Sequence, residues 1–331
     1  MPRSFNRTLG SLRNMPPRCF SEDLAAYGPD VARSACSLHV AEAYCRRLAR
    51  RHYENFTVAS WLLPKRLRQH FYNLYAYCRW ADDLADETAS PQESLRLLDW
   101  WGEELRRVYR GEAEHPVFVA LRETIAEFAI PIEPFQSLLV AFVRDQTQTR
   151  YANFDDLCDY CRHSANPVGH LVLYLGRCYN PMTVPLADSI CTGLQLANHW
   201  QDVARDFARD RIYLPATDMA DYGVTAEMLG EAPASLEFCR LLAFEVDRAQ
   251  SFLELGWPLV SLVPPELKLD VQLFLRGGLA TLEAIRRVEY DVLTTRPIVS
   301  NWEKLQLLLT AWRGKRPQQE ALSISRTEAH P

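Results

Sequence analysis

Apolar residues recur every three or four positions along most of this chain, which is the period of an α-helix. Segments 41–48, 67–75 and 135–143 each place apolar side chains at i, i+3 and i+4, whereas the alternation typical of strands is scarce. Prolines interrupt the pattern at intervals, because the proline ring ends or kinks a helix. The pattern therefore predicts an all-α fold of ordinary-length helices joined by short loops.

The domain organisation predicted from the sequence is simple. No composition shift or long Gly/Ser linker divides the chain, so residues 33–313 are expected to form a single helical domain. The first 21 residues contain arginines and no acid, and we expect residues 1–32 to be a disordered N-terminal extension. Residues 314–331 are polar, and we expect a disordered tail.

Composition excludes several classes of function. The net charge is −5 and the pI is about 5.9, so no basic surface for nucleic acid is expected. No apolar run reaches the ~18 residues of a membrane span, and the 9 scattered cysteines suit a reducing compartment. We expect packed thiols, not a metal site, at Cys158 and Cys161. We also expect a cytoplasmic protein whose apolar segment 256–264 is core or touches the cytoplasmic face of a membrane.

Two copies of one acidic spacing carry the candidate chemistry. Asp82 and Asp86 are four residues apart, and so are Asp202 and Asp206. On a helix such pairs lie on one face about 6 Å apart along the axis, where they repel each other unless a cation binds. Oxygen pairs suit Mg²⁺, and Mg²⁺ suits a diphosphate. A solvated charged face is the simpler interpretation of either copy alone, but both are preceded by aromatic and apolar residues.

Further motifs occur in a fixed order around these acids. Arg79 precedes the first pair, Gln195 and Asn198 precede the second, and the stretches 164–169 (SANPVG) and 211–215 (RIYLP) lie after the first and second pairs. Together they resemble the squalene/phytoene synthase family of head-to-head prenyl synthases. The resemblance covers about residues 35–312.

Within that family, the chain looks most similar to the bacterial hopanoid-pathway branch called hydroxysqualene synthase, through residues 52–60 and 164–169. The resemblance implies an isoprenoid synthase fold with a deep central cavity, Mg²⁺ as cofactor and a prenyl diphosphate as substrate. It implies metal ligands at Asp82, Asp86, Asn198, Asp202 and Asp206, catalytic roles for the four aspartates and Tyr151, and substrate-binding roles for Phe56, Tyr75, Arg79, Gln195, Arg211 and Tyr290.

Departures from the family pattern suggest which reaction the chain performs. Glu54 replaces a cation that condensing members usually carry, Gln201 replaces an arginine, and Arg205 replaces a glutamate. Joining two prenyl diphosphates requires handling two anions, whereas converting presqualene diphosphate requires handling one. The lost cations at 54 and 201 therefore favour a substrate with one diphosphate.

The sequence thus predicts Mg²⁺-dependent ionisation of presqualene diphosphate and capture of the cation by water, giving hydroxysqualene. No NADPH is expected, since no GxGxxG follows a strand. The enzymatic alternative is condensation of two prenyl diphosphates to presqualene diphosphate, phytoene or dehydrosqualene. An alternative from another class is a non-catalytic assembly factor, but the retained acids Asp82, Asp86, Asp202 and Asp206 favour an enzyme.

Overall fold

The computed structural model describes residues 19–31, 36–51 and 64–300. These residues form α-helices joined by short turns, with no strand among them, which confirms the predicted all-α class. The helices are α1 (Phe20–Tyr27), α2 (Leu38–Arg51), α3 (Lys65–Asp86), α4 (Pro91–Tyr109), α5 (Pro116–Phe128), α6 (Glu133–Arg144), α7 (Phe154–Ser164), α8 (Asn166–Leu175), α9 (Val184–Phe207), α10 (Ala216–Asp221), α11 (Leu236–Gly256), α12 (Leu259–Leu262) and α13 (Pro265–Arg287).

Local sequence signals account for where several helices begin. Ser90, Asn153 and Ser235 each precede a helix and accept a hydrogen bond from the backbone N–H three residues later. This N-cap satisfies one of the unpaired donors of the first turn. His115 caps α5 in the same way through its ring nitrogen. The breaks between helices therefore follow the prolines and caps visible in the sequence.

Helix α1 is a feature that the sequence analysis did not predict. It lies within residues 1–32, the stretch interpreted as an extension, and its Phe20 is buried edge-on against the ring of Trp80. A short helix is marginal by itself and needs such tertiary contacts. The packed part of the chain therefore includes residues that precede 33.

The helix α9 crosses the centre of the molecule and packs closely on α11 and α13. A Cβ atom at Gly193 would lie 2.8 Å from Leu253, and one at Gly278 would lie 2.8 Å from Leu194. These separations are too short for a real side chain, so glycine permits the close approach of the three backbones. Closer to the C-terminus of α9, a hydrogen bond links this helix to α11, since Trp200 donates to the backbone oxygen of Glu245.

A tryptophan anchors each acidic helix in the core, two residues before the first aspartate of its motif. Trp80 on α3 is 1% exposed, stacks on Trp101 and donates to the hydroxyl of Tyr44. Trp200 on α9 is fully buried. On a helix, positions i and i+2 lie about 200° apart, so burying these rings turns Asp82 and Asp202 away from the core.

The apolar segment 256–264 is mainly core. Leu259, Val260 and Val263 are buried, whereas Leu262 is 44% exposed. Across the described residues, no helix has the length and hydropathy that crossing a bilayer requires.

Candidate functional site

One face of α3 carries four of the residues predicted for the site. Tyr75, Arg79, Asp82 and Asp86 follow one another at spacings of four, three and four residues, so they lie in one row. Arg79 donates to Asp82 at 3.0 Å and is also paired with Asp83 and, at 3.4 Å, with Glu87. In the state described, this predicted substrate-binding cation is neutralised by the acids of its own helix.

Asp83 is a member of this row's ion-pair network that the sequence analysis did not single out. Its side chain is buried and faces Arg79. Burial raises the pKa of Asp83 to about 7, and Arg79 opposes that rise. Asp83 therefore fixes the position of Arg79, while Asp82 and Asp86 remain at the surface of the site.

One face of α9 carries the second row, Gln195, Asn198, Asp202 and Asp206, at spacings of three, four and four. Asn198 is exposed, and Gln195 lies 3.3 Å from the ring of His199. Burial raises the pKa of Asp206 to about 7, and the like charge of Asp202 contributes to the rise. Arg211, Arg209 and Arg205 oppose this rise.

Arg211 joins the two rows. It follows α9 and its guanidinium lies 3.3 Å from the carboxylate of Asp86 on α3. Its positive charge also lowers the pKa of Asp206. Arg209 lies 4.0 Å from Asp86. Arg211 therefore links the two acidic motifs at one end of the helical bundle.

An aromatic cluster stands behind the acids. The ring of Tyr213 stacks on His199 at 3.6 Å between centroids and on Tyr151 at 5.6 Å, and Tyr160 packs beside them. The hydroxyl of Tyr151 is buried and has no hydrogen-bond partner among the described residues. Burial lowers the pKa of His199 to about 3, so its ring is neutral. A small recess lies at this cluster, and Asp206 and Arg211 are among its lining residues.

Asp145 is a site residue that sequence reasoning missed. It lies just after α6, forms a hydrogen bond with the hydroxyl of Tyr160 and feels the charges of Arg211, Asp86 and Asp82. Burial raises its pKa to about 6, against the lowering effect of Tyr160 and Arg211. It has no partner at i±4 that would mark it as half of a pair, and so nothing in the local pattern distinguished it.

A second missed residue corrects one step of the sequence argument. Arg296 lies beyond α13 and reaches back to α9, where it binds both oxygens of Asp202, at 2.5 and 2.9 Å, and the side-chain oxygen of Gln201 at 3.0 Å. Gln201 itself carries no charge, but the structure supplies a guanidinium beside it. The interpretation that this position has lost its cation is therefore wrong for the folded protein.

One predicted site residue, Tyr290, has no described contact with the acids, and another lies outside the described residues. Tyr290 follows α13 in a left-handed backbone conformation with φ of 64°, half-buried against the core, and no hydrogen bond described for it reaches either motif. Phe56 and the neighbouring Glu54 lie outside the described residues. Their predicted roles stay predictions.

The side-chain oxygens of the site suit a hard divalent cation whose remaining ligands come from water and from the substrate. Within residues 19–31, 36–51 and 64–300, no three His, Cys, Asp or Glu side chains form a ready-made metal-binding group. The carboxylates come as pairs, one on α3 and one on α9. Mg²⁺ is commonly held by one or two carboxylates, with water and substrate phosphate oxygens supplying the rest.

Comparison with known proteins gives a consistent result. The family model for squalene/phytoene synthase matches residues 49–303. A hydroxysqualene synthase of Sinorhizobium fredii is 37% identical over 67% of this chain and 76% of its own length, and a phytoene synthase of Arthrospira platensis is 30% identical over 80% and 90%. The crystal structure of the squalene synthase HpnC from Alicyclobacillus acidocaldarius superposes with a TM-score of 0.73 at 47% identity, covering 77% of this chain and 96% of that one.

Proposed function

Because this chain belongs to the squalene/phytoene synthase family, whose members are enzymes that process prenyl diphosphates, we propose that it converts presqualene diphosphate into hydroxysqualene and diphosphate. The observation that carries the proposal is the meeting of two carboxylate pairs at one end of the bundle, with Arg211 between them and an aromatic cluster behind. Groups that can bind an anion and an aromatic cluster are thus adjacent.

The acidic end of the bundle suits the departing diphosphate. Asp82 and Asp86 on α3, and Asn198, Asp202 and Asp206 on α9, would hold Mg²⁺, which supplies the positive charge that a diphosphate needs in order to leave. Arg211 and Arg209 add guanidinium groups on the same side. Arg211 and Arg209 are positioned before the substrate arrives, so these two side chains need little reorganisation as charge develops.

The aromatic cluster suits the other half of the reaction. When the carbon–oxygen bond breaks, its electron pair stays with diphosphate and the carbon skeleton becomes a cation. The cyclopropyl ring then opens, a water oxygen bonds to the cationic carbon, and the released proton passes to diphosphate or solvent. Aromatic faces stabilise cations, and the unpartnered hydroxyl of Tyr151 is suited to hold the water or the cation in place.

The choice of this reaction within the family rests on the comparisons and on one motif. The hydroxysqualene synthase relative is more similar in sequence than the phytoene synthase relative, although over a shorter region. In the structure, the stretch 164–169 starts α8 and packs it on α9. Asn166 accepts from Thr192, and a Cβ at Gly169 would lie 2.7 Å from Cys191. The motif therefore acts by positioning the second acidic helix.

Condensation of two prenyl diphosphates is the second candidate, and Arg296 is the observation that favours it. The guanidinium of Arg296 lies beside Gln201, where the replacement of an arginine by glutamine had suggested that a cation was lost. A phytoene synthase relative that matches along most of the chain points the same way. The two reactions differ in substrate and are separated by a direct assay.

The remaining parts of the proposal concern cofactor and location. We propose Mg²⁺ dependence and no need for NADPH, since water ends the reaction without a reductant. Peripheral contact with a membrane would serve a lipid product, and the exposed side chain of Leu262, within the apolar segment 256–264, is available for it.

The test is a substrate comparison with purified protein. Presqualene diphosphate and farnesyl diphosphate are incubated separately, with and without Mg²⁺ and NADPH, and the products are identified by mass spectrometry. We expect presqualene diphosphate to be consumed only with Mg²⁺, with no effect of NADPH, and farnesyl diphosphate alone to persist. Efficient consumption of farnesyl diphosphate would favour condensation, and inactivity on both would favour a non-catalytic member.

A further inference from the structure

The segment that follows α13 is fastened to the molecule at two places. At its start, Asp291 accepts hydrogen bonds from the backbone N–H groups of Ala234 and Thr294, at 3.2 and 3.0 Å. At its end, Arg296 and Pro297 reach Gln201 and Asp202 on α9. Residues 288–300, which we name the clasp, therefore lie across the second acidic motif.

Gln201 forms hydrogen bonds with two groups of the clasp, the backbone carbonyl of Pro297 and the guanidinium of Arg296. Its side chain is buried; its amide N–H donates to the backbone oxygen of Pro297 at 2.7 Å, and its amide oxygen accepts from Arg296 at 3.0 Å. A carboxamide offers an N–H donor and a carbonyl acceptor at once. A glutamate could not donate to Pro297, and an arginine could not accept from Arg296.

Arg296 in turn takes up the oxygens of Asp202. Its Nε lies 2.5 Å from Oδ1 and its Nη2 lies 2.9 Å from Oδ2, the bidentate geometry that guanidinium and carboxylate prefer. A divalent cation on Asp202 would meet both a positive charge and two occupied oxygens. Arg205, on the surface of α9, adds a weaker contact with Asp202 at 3.7 Å.

We propose that Gln201 is a positioning residue which holds Arg296 on Asp202, so that the clasp occupies the second acidic motif and a divalent cation must displace it to bind there. The inference rests on the proposed function, because it takes Asp202 as a metal ligand. It assigns a purpose to the Gln201 departure, which the loss of a cation no longer explains. It also predicts that the first motif, on α3, binds a cation without this competition.

The experiment measures Mn²⁺ binding to the full-length, substrate-free protein from the electron paramagnetic resonance signal of the free ion. Arg296→Ala and Gln201→Met should each bind Mn²⁺ more tightly than wild type, on the order of tenfold for the arginine, since a charge-assisted contact is removed. Tighter binding is the diagnostic sign, because structural damage at the site would weaken binding. Arg296→Gln is a second variant should Arg296→Ala not fold.

Arg286 offers a matched control. Its guanidinium binds an aspartate, Asp247, at 2.8 Å and a glutamine, Gln250, at 2.7 Å, which repeats the bonding of Arg296 away from the acidic motifs. Arg286→Ala should leave Mn²⁺ affinity within twofold of wild type. An equal gain in Arg286→Ala would show that the effect is not local and would overturn the proposal.

Asp202→Asn distinguishes a failure of the clasp proposal from a failure of the assignment of Asp202 as a metal ligand. If Asp202→Asn weakens Mn²⁺ binding but both Arg296 variants leave it unchanged, the clasp does not compete and the inference is wrong, while the metal assignment stands. If Asp202→Asn binds Mn²⁺ as well as wild type, the metal assignment fails and the inference fails with it. A gain with Arg296→Ala but none with Gln201→Met would overturn the positioning role of Gln201.

Discussion

Replacing Arg211 by methionine tests the junction between the two acidic motifs. The substitution removes the guanidinium that lies 3.3 Å from Asp86 and keeps most of the apolar stem. A charge-assisted hydrogen bond is worth about 1.5–3 kcal/mol. At 1.4 kcal/mol for each factor of ten, kcat/KM should fall by about 10- to 100-fold.

The loss in Arg211→Met should also depend on pH. Arg211 lowers the pKa of both Asp206 and Asp145, so its removal raises those values further above their present positions near 7 and 6. More of each carboxylate is then protonated at pH 6 than at pH 8, and protons compete with a metal ion for the same oxygens. The fall in kcat/KM should therefore be larger at pH 6 than at pH 8.

The assay is release of diphosphate from presqualene diphosphate between pH 6 and 9, at a fixed Mg²⁺ concentration below saturation. Arg150→Met is the matched control, because Arg150 pairs with exposed Asp210 at 2.6 Å in the neighbouring loop and none of its described hydrogen bonds reaches either acidic motif. It should keep near-normal activity. Wild-type turnover in Arg211→Met, or an equal loss in Arg150→Met, would refute the role given to Arg211.

Three further predictions concern packing, pH and the aromatic cluster. Gly278→Ala should destabilise the protein by about 1–3 kcal/mol in denaturant unfolding, because its Cβ would lie 2.9 Å from Leu253. Gly277→Ala, whose Cβ would have no described neighbour within 4 Å, should be neutral or stabilising. Equal effects of the two substitutions would show that close packing at Gly278 is not the cause. Burial raises the pKa of Glu245 to about 8, so the folded state holds this proton more tightly than the unfolded state does. The stabilising contribution of Glu245 therefore declines as pH rises from about 4.5 to 8. Glu245→Gln should gain stability relative to wild type as pH rises from about 5 to 9, and a stability difference that does not change with pH would contradict this. Tyr151→Phe removes a buried hydroxyl without a described partner, so it should unfold at the same or higher denaturant concentration yet turn over on the order of tenfold more slowly; unchanged turnover would remove Tyr151 from the site.

The parts of the site that the sequence predicted are those with a local signature. The i, i+4 spacing placed Asp82 beside Asp86 and Asp202 beside Asp206, because helix geometry relates such positions directly. The aromatic residues before each pair indicated helices that enter the core, and Trp80 and Trp200 are buried as expected of core residues. The order of motifs was sufficient to predict the family.

The parts that were missed depend on tertiary packing. Arg296 lies 94 residues from Asp202 in the chain, and no local pattern connects them. Asp145 reaches the site because α6 ends beside Tyr160, which a lone aspartate does not reveal. Helix α1 is too short for its period to be distinctive, and it depends on packing against Trp80.

The direct test of the central claim is reaction of presqualene diphosphate in ¹⁸O-labelled water, with wild type and with Asp82→Asn and Asp202→Asn. The account predicts hydroxysqualene carrying the label in its hydroxyl, formed by wild type only with Mg²⁺ and at least on the order of 10²-fold more slowly by the folded variants, since each loses charge from the acidic motifs. An unlabelled alcohol, squalene formed only with NADPH, or near-normal turnover in either folded variant would contradict it.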